Sequence, residues 1–279
     1  MKITLSYIRK TLISCYSQQE IEAFISIIFK HIYNYSKNDL ILNAYSTLPE
    51  KDCLRIAEIV ENLMSHHPIQ YILGETEFYD LTFKVNSDVL IPRNETEELV
   101  HLILKNYANR NLKILDIGTG SGCIPISLKK NRPDFEVFSC DISKKALALA
   151  RKNASLNNVV VQFHYFDVLS NEAFFVTGFD IIVSNPPYVT EKEKKLMEAN
   201  VLDHEPHLAL FVPDQDPLLF YKAISKRAAS LLTPDGEIYF EINEAYGQEV
   251  VQLLQNSGLR ATVIKDINGK DRIVVGSRK

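Results

Sequence analysis

The chain has 279 residues, 46% of them apolar, and a formal net charge of −4. That length allows two domains of ordinary size with a substantial core, while the acidic balance argues against a protein whose main task is gripping a phosphate backbone. No run approaches the roughly 18 apolar residues of a membrane span, no basic stretch leads into an apolar block at the start, and Cys15, Cys53, Cys123 and Cys140 share no paired spacing, so a cytoplasmic chain with four free thiols is expected.

Residues 1–75 read as helical. Leu5, Ile8 and Leu12 recur at helical spacing, and Ser17-Gln18-Gln19-Glu20 has the form of a capping box, in which a hydroxyl and a carboxylate each satisfy a free backbone N–H. The helix it opens carries Ile21, Phe24, Ile25, Ile28, Phe29 and Ile32 on one broad face. Leu48-Pro49 interrupts the pattern, and a further helix follows with Leu54, Ala57, Val60, Leu63 and Met64 inward. These stripes predict a small bundle. His66-His67-Pro68 ends it, since proline disfavours helical geometry in the residue before it; the two histidines point different ways, and no metal is expected there.

Residues 76–92 alternate like strands, with Phe78, Leu81, Phe83 and Val85, then Val89, Leu90 and Ile91. Asn86-Ser87-Asp88 supplies a turn, so a β-hairpin is expected to link two domains. From residue 93 onward helix and strand alternate. Asn94 is placed to cap a helix with Glu97 as its reciprocal partner. Strands are expected at 112–117, 136–140, 160–165, 179–184, 236–242 and 272–276. This is the pattern of an α/β fold: a doubly wound, mostly parallel sheet whose ligands sit outside the carboxyl ends of the strands.

The strand Leu112 to Asp116 runs into Gly118, Gly120 and Gly122, then an apolar helix from Cys123. Glycines suit a backbone that turns tightly and approaches a ligand with no Cβ in the way. A dinucleotide fingerprint, G-x-G-x-x-G, would need a third glycine where Cys123 stands. The spacing G-x-G-x-G after Asp116 instead resembles motif I of S-adenosylmethionine-dependent methyltransferases of the Rossmann-like type. That resemblance implies that Gly118, Thr119, Gly120, Ser121 and Gly122 wrap the methionine half of S-adenosyl-L-methionine. Asp141 ends the next strand, where an acid can accept from ribose hydroxyls or cap the helix at 143–150. Asp167-Val168 follows the third strand, where the resemblance implies that adenine is held; many relatives have an aromatic residue where Val168 stands, which leaves apolar contact in place of stacking as the alternative.

Asn185-Pro186-Pro187-Tyr188 ends the apolar strand Ile181-Ile182-Val183, at the same sheet edge as the glycine loop. Two prolines fix the backbone angles. An amide nitrogen is a weak nucleophile because its lone pair is shared with the carbonyl. An enzyme can hold its NH₂ with two acceptors, here the side-chain oxygen of Asn185 and the carbonyl of Pro186, and so aim the lone pair at a methyl carbon. Tyr188 offers a ring face for a flat group. Neither a metal nor a covalent intermediate is expected.

Pro68-Ile69-Gln70-Tyr71-Ile72-Leu73-Gly74, Phe78, Val89-Leu90-Ile91-Pro92-Arg93-Asn94-Glu95-Thr96-Glu97, Glu205-Pro206-His207-Leu208-Ala209-Leu210 and the tail from Gly269-Lys270-Asp271-Arg272 to Gly276, taken with the loop and the hook, resemble the HemK/PrmC family of peptide-chain release factor N(5)-glutamine methyltransferases. The resemblance covers residues from about 66 to the end. It implies methyl transfer to the glutamine of the Gly-Gly-Gln loop in class-1 release factors. Cofactor positions then fall on Gly118 to Gly122, Asp141, Val168 and Asn185, and the substrate hook on Asn185 to Tyr188. It also implies a docking domain at 1–75, a linking hairpin at 76–92 and a catalytic domain at 93–279, in a chain acting as a monomer without direct nucleic-acid or membrane binding. Asn94 stands where relatives usually have proline, and Asn243 where glycine is common. Arg93 reads as a surface or salt-bridging residue, and His204 and Glu205 as solvated loop residues. The alternative activity, methylation of adenine or guanine amino groups, uses the same hook but needs a basic surface. Lys192, Lys194 and Lys195 are interrupted by Glu191 and Glu193 and read as a solvated face.

Overall fold

The computed structural model describes residues 1–278, Leu196 by its backbone alone. Two compact units emerge, one from Met1–Gly74 with Ala199–His204, the other from Glu75–Glu198 with Glu205 onward. The first unit is helical: α1 (Lys2–Leu12), α2 (Gln18–Tyr33), α3 (Lys37–Leu42), α4 (Glu50–Met64) and α5 (Ile69–Leu73). The capping box forms, Ser17 Oγ accepting from Glu20 N and Glu20 Oε2 accepting from Ser17 N. Leu5, Ile8 and Leu12 of α1 meet Ile21, Ile25, Ile28 and Phe29 of α2 in one core. The buried stripe of α4 is Ile56, Ile59, Val60 and Leu63; Leu54, expected inward, is 62% exposed. Helix α3 carries its own box, Ser36 with Asp39, a signal of the same kind as Ser17 with Glu20. His67 stacks on His204, ring centroids 4.0 Å apart, so His204 packs within the helical unit rather than standing in solvent.

The second unit opens on a hairpin of β1 (Glu75–Phe78) and β2 (Leu81–Lys84), followed by α6 (Asn94–Asn106), β3 (Lys113–Ile117), α7 (Cys123–Asn131), β4 (Glu136–Asp141), α8 (Lys144–Leu156), β5 (Gln162–Tyr165), β6 (Phe179–Ser184) and β7 (Val189–Thr190). After the short α9 (Ala199–Leu202), which clusters with the helical unit, come β8 (Phe211–Val212), α10 (Leu219–Leu231), β9 (Leu232–Glu241), α11 (Gly247–Asn256), β10 (Arg260–Lys265) and β11 (Asp271–Ser277). The hairpin is shorter than 76–92 and turns elsewhere. Its turn is Tyr79-Asp80, both at positive φ (49° and 59°), the geometry a two-residue hairpin requires. Asn86-Ser87-Asp88 does turn, Asn86 Oδ1 accepting from Asp88 N, but residues 89–92 form no strand. Nor does Asn94 cap α6. Arg93 is the cap residue, without a side-chain bond, and Glu97 accepts from Tyr79 N at 2.8 Å, bracing the hairpin instead.

Seven strands form one sheet in the order β10-β11-β9-β6-β3-β4-β5. Pairing is parallel from β9 to β5 and antiparallel at β11. Along each strand successive side chains face opposite sides. Ile114, Ile181 and Val183 face a core shared with α6, α7 and α8, while Leu115 and Ile182 face one shared with α10 and α11. The chain leaves β3 toward β4 on one side, and β6 lies on the other. Such a switch in winding direction leaves a crevice at the carboxyl ends of the strands.

Candidate active site

Strands β3 and β6 run parallel with Leu115 opposite Ile182 and Asp116 opposite Val183. The segments that leave their ends, the glycine loop and Asn185-Pro186-Pro187, therefore emerge side by side and line one cavity of about 330 Å³. That volume lies at the lower end of small-molecule sites, roughly 300–1,000 Å³. Gly118, Thr119, Gly120 and Ser121 form one wall, Asp141, Ile142 and Asp167-Val168 another, and Asn185 to Pro187 the far end.

The loop is held from below by backbone. Gly118 N and Thr119 N both donate to Cys140 O. Gly120 N donates to Asp141 Oδ2 at 2.9 Å, and Ser143 N to Asp141 Oδ1 at 2.8 Å. One carboxylate thus ties the glycine loop to the start of α8, while Ser143 itself caps that helix. Burial raises the pKa of Asp141, and the N–H groups of Ser143, Gly120 and Ile142 oppose the rise. A Cβ built on Gly118 or Gly120, both at positive φ, meets no protein atom within 4 Å. Gly122 differs. It is absent from the cavity wall, and a Cβ there comes within 2.8 Å of Ile126 Cδ1 and 3.1 Å of Ala150 Cβ. The third glycine allows the close packing of α7 on α8.

Phe166, Val168 and Ile142 give the cavity an apolar side. Asp167 Oδ1 accepts from Leu169 N at 2.8 Å, and Arg227 Nε donates to Val168 O at 2.8 Å, which fixes this loop from α10. Cys123 also lines the cavity, but burial pushes its thiol to about 12, so it stays protonated and is no nucleophile.

At the far end, Asn185 Nδ2 donates to Thr96 Oγ1 at 3.2 Å. Thr96 Oγ1 in turn donates to Glu241 Oε2 at 2.6 Å. Tyr188 is not part of the cavity wall. Its ring packs on the core beside α10 and its hydroxyl donates to Glu241 Oε1 at 3.3 Å. Its hydroxyl end is thus tied to a buried carboxylate while the ring stays half-buried. Burial raises the pKa of Glu241, opposed by Thr96, Arg272 and Tyr188. Glu205, expected in solvent, is 4% exposed; it accepts from Ile91 N at 3.2 Å and pairs with Arg93 at 2.6 Å. That carboxylate joins two cavity-lining loops, Val89 to Arg93 and Pro206 to Ala209.

Asp116, below the loop, is fully buried and accepts from Ser139 Oγ at 2.8 Å. Burial pushes its pKa up to about 7, partly offset by the hydroxyls of Thr119 and Ser139. A carboxyl whose pKa rises from 3.8 to about 7 on folding binds more protons folded than unfolded across that window. Its contribution to stability is therefore full below the window and is lost as pH rises through it. Asp116→Asn is expected to remove this part of the decline, read as flatter urea midpoints across the same window; an unchanged slope would contradict the assignment.

Comparison with known proteins agrees with this geometry. Residues 93–209 match the methyltransferase small domain and residues 4–74 the PrmC N-terminal domain. A release factor glutamine methyltransferase of Flavobacterium psychrophilum is 48% identical over 95% of this chain and 94% of its own. One of Bacteroides thetaiotaomicron is 47% identical over 98% of both. A solved methyltransferase of Pyrococcus furiosus aligns at TM-score 0.53 with 15% identity, covering 82% of this chain and 99% of its own, a likeness of fold alone.

Proposed function

The chain belongs to the release factor glutamine methyltransferase family, and from that premise we propose that it transfers a methyl group from S-adenosyl-L-methionine to the side-chain amide nitrogen of the Gly-Gly-Gln glutamine in class-1 release factors. The observation that carries the chemistry is the meeting of an open glycine loop and an Asn-Pro-Pro hook at one cavity on adjacent parallel strands.

The residues fit the cofactor. Where side chains would stand at Gly118 and Gly120 there is open space. Asp141, Ile142, Phe166 and Val168 line the cavity, and in this reading Asp141 accepts from ribose hydroxyls while the apolar side takes a flat base. When bound, S-adenosyl-L-methionine supplies a methyl carbon made electrophilic by its sulfonium. Asn185 Oδ1 and the Pro186 carbonyl accept from the two N–H bonds of the substrate amide and orient its lone pair. Both acceptors also favour the positive charge that grows on nitrogen as the bond forms. Proline suits the second post because it brings an acceptor and no N–H. Pro187 stiffens the hook, and Tyr188 anchors it through Glu241.

The helical unit is proposed to dock the release factor, and the chain to act as a cytoplasmic monomer. Among the described residues no helix is long and apolar enough to cross a membrane. The test is methyl transfer from labelled cofactor, offered a class-1 release factor in one arm and DNA and rRNA in another. Label on the Gly-Gly-Gln glutamine, located by mass spectrometry, is the expected result. Label only in nucleic acid would reject the proposal.

A further inference from the structure

The carboxamide of Asn185 has two chemically opposite ends, and only Oδ1 can accept from a substrate N–H. Something must keep that end toward the cavity. The bonds behind Asn185 supply it. Thr96 Oγ1 has a single proton, and it lies 2.6 Å from Glu241 Oε2. An ionised carboxylate only accepts, so that proton is committed. Toward Asn185 the hydroxyl is then an acceptor, and only the NH₂ end satisfies it, as the 3.2 Å contact from Nδ2 records. The Tyr188 hydroxyl donates to the other oxygen of Glu241, and Thr96, the charge of Arg272 and Tyr188 all favour the ionised form against burial.

Two features argue that this is more than a tie between α6 and β9. Thr96 and Glu241 are 2% and 1% exposed, and a buried carboxylate is a costly way to join two elements that apolar side chains already join. The three side chains also come from three separate elements, Thr96 lying 89 positions from Asn185 and 145 from Glu241, and they meet in one chain of hydrogen bonds that ends on the hook.

We propose that Thr96 and Glu241 are positioning residues whose one-way hydrogen-bond relay sets the polarity of the Asn185 carboxamide; this rests on the reading that Asn185 Oδ1 receives the substrate amide. Thr96 lines the cavity beside Asn185, and Glu241 lies behind it. Both act through Asn185.

The experiment measures methyl transfer to a release factor by the full chain as wild type, Thr96→Val, Thr96→Ser and Glu241→Gln, with cofactor affinity read by calorimetry on the same samples. Valine keeps the shape and removes the relay. Glutamine can donate to Thr96, which frees the threonine proton to turn the Asn185 amide over. Both variants are expected to lose turnover on the order of 10- to 100-fold with cofactor affinity unmoved, while Thr96→Ser restores it. In an Asn185→Ala background Thr96→Val is expected to cost nothing further, because the group it orients is gone. Wild-type transfer with an undiminished kcat in Thr96→Val overturns the inference alone. So does a loss of kcat that persists in full in the Asn185→Ala background. Should Thr96→Val fail to fold, Glu241→Gln decides by the same two comparisons. No transfer by wild type overturns the functional reading and this inference with it.

Discussion

Asn185→Ala is expected to lower turnover about a hundred- to a thousandfold, ~3–4 kcal/mol of transition-state stabilisation, while cofactor binding and fold stability change little. The size follows from where the interaction acts. In the ground state the substrate amide shares its lone pair with its carbonyl and carries little charge on nitrogen. As the methyl bond forms, that sharing is lost and the N–H bonds become stronger donors. An acceptor held in advance gains most at that moment, so its loss falls on kcat more than on KM. Truncation also leaves the fold largely undisturbed. The backbone of the hook is set by Pro186 and Pro187, and the Tyr188–Glu241 bond remains to anchor it. Single-turnover kinetics on a release factor, with calorimetric cofactor titration beside it, checks both halves. Equal rates in the two proteins would mean that Asn185 does not hold the substrate. A matching loss of cofactor affinity would move its role to the other half of the cavity.

The features that sequence made legible are those whose chemistry is local. Ser17 and Glu20 lie three residues apart and satisfy each other's backbone, so the start of α2 could be read directly. The glycine loop and the Asn-Pro-Pro hook each need particular residue types at short spacing, and alternation of strands with helices places both at one sheet edge. Distant partnerships left no such trace. Glu205 reads as a loop acid until Arg93 and Ile91, more than a hundred positions earlier, are found against it. Glu241 reads as a strand end until Thr96 and Tyr188 meet there. The hairpin shows how local chemistry misleads. Asn86-Ser87-Asp88 has the composition of a hairpin turn and does turn, but Val89 and Leu90 beyond it line the cavity and form no strand. Tyr79-Asp80 lacks glycine and still takes positive φ, held in part by Glu97 on the Tyr79 N–H. Strand β10 escaped notice because it is an edge strand with alternate residues exposed and no continuous apolar run.

Gly120→Ala and Gly122→Ala are expected to fail in opposite ways, although the two residues stand two positions apart in one loop. Both have positive φ, 53° and 83°, which costs an L-residue about 1–2 kcal/mol. Beyond that shared strain they part. At residue 120 the new methyl meets no protein atom within 4 Å and stands at the cavity wall. Its folded state bears only the strain, while the space meant for the cofactor is reduced and the Gly120 N–H to Asp141 bond is put at risk. Calorimetry should therefore report a marked loss of cofactor affinity in a protein only slightly less stable. At residue 122 the methyl comes within 2.8 Å of Ile126 Cδ1 and 3.1 Å of Ala150 Cβ. Ile126 is fully buried, so its Cδ1 can yield only by repacking its neighbours, and Ala150 Cβ moves only with the backbone of α8. Overpacking of about 1–3 kcal/mol adds to the strain, for a total of about 2–5 kcal/mol read from denaturant midpoints. The protein that remains folded should bind cofactor close to normally. If Gly122→Ala proved as stable as wild type, or Gly120→Ala bound cofactor undiminished, the division of the loop into a ligand-facing part and a packing part would be wrong.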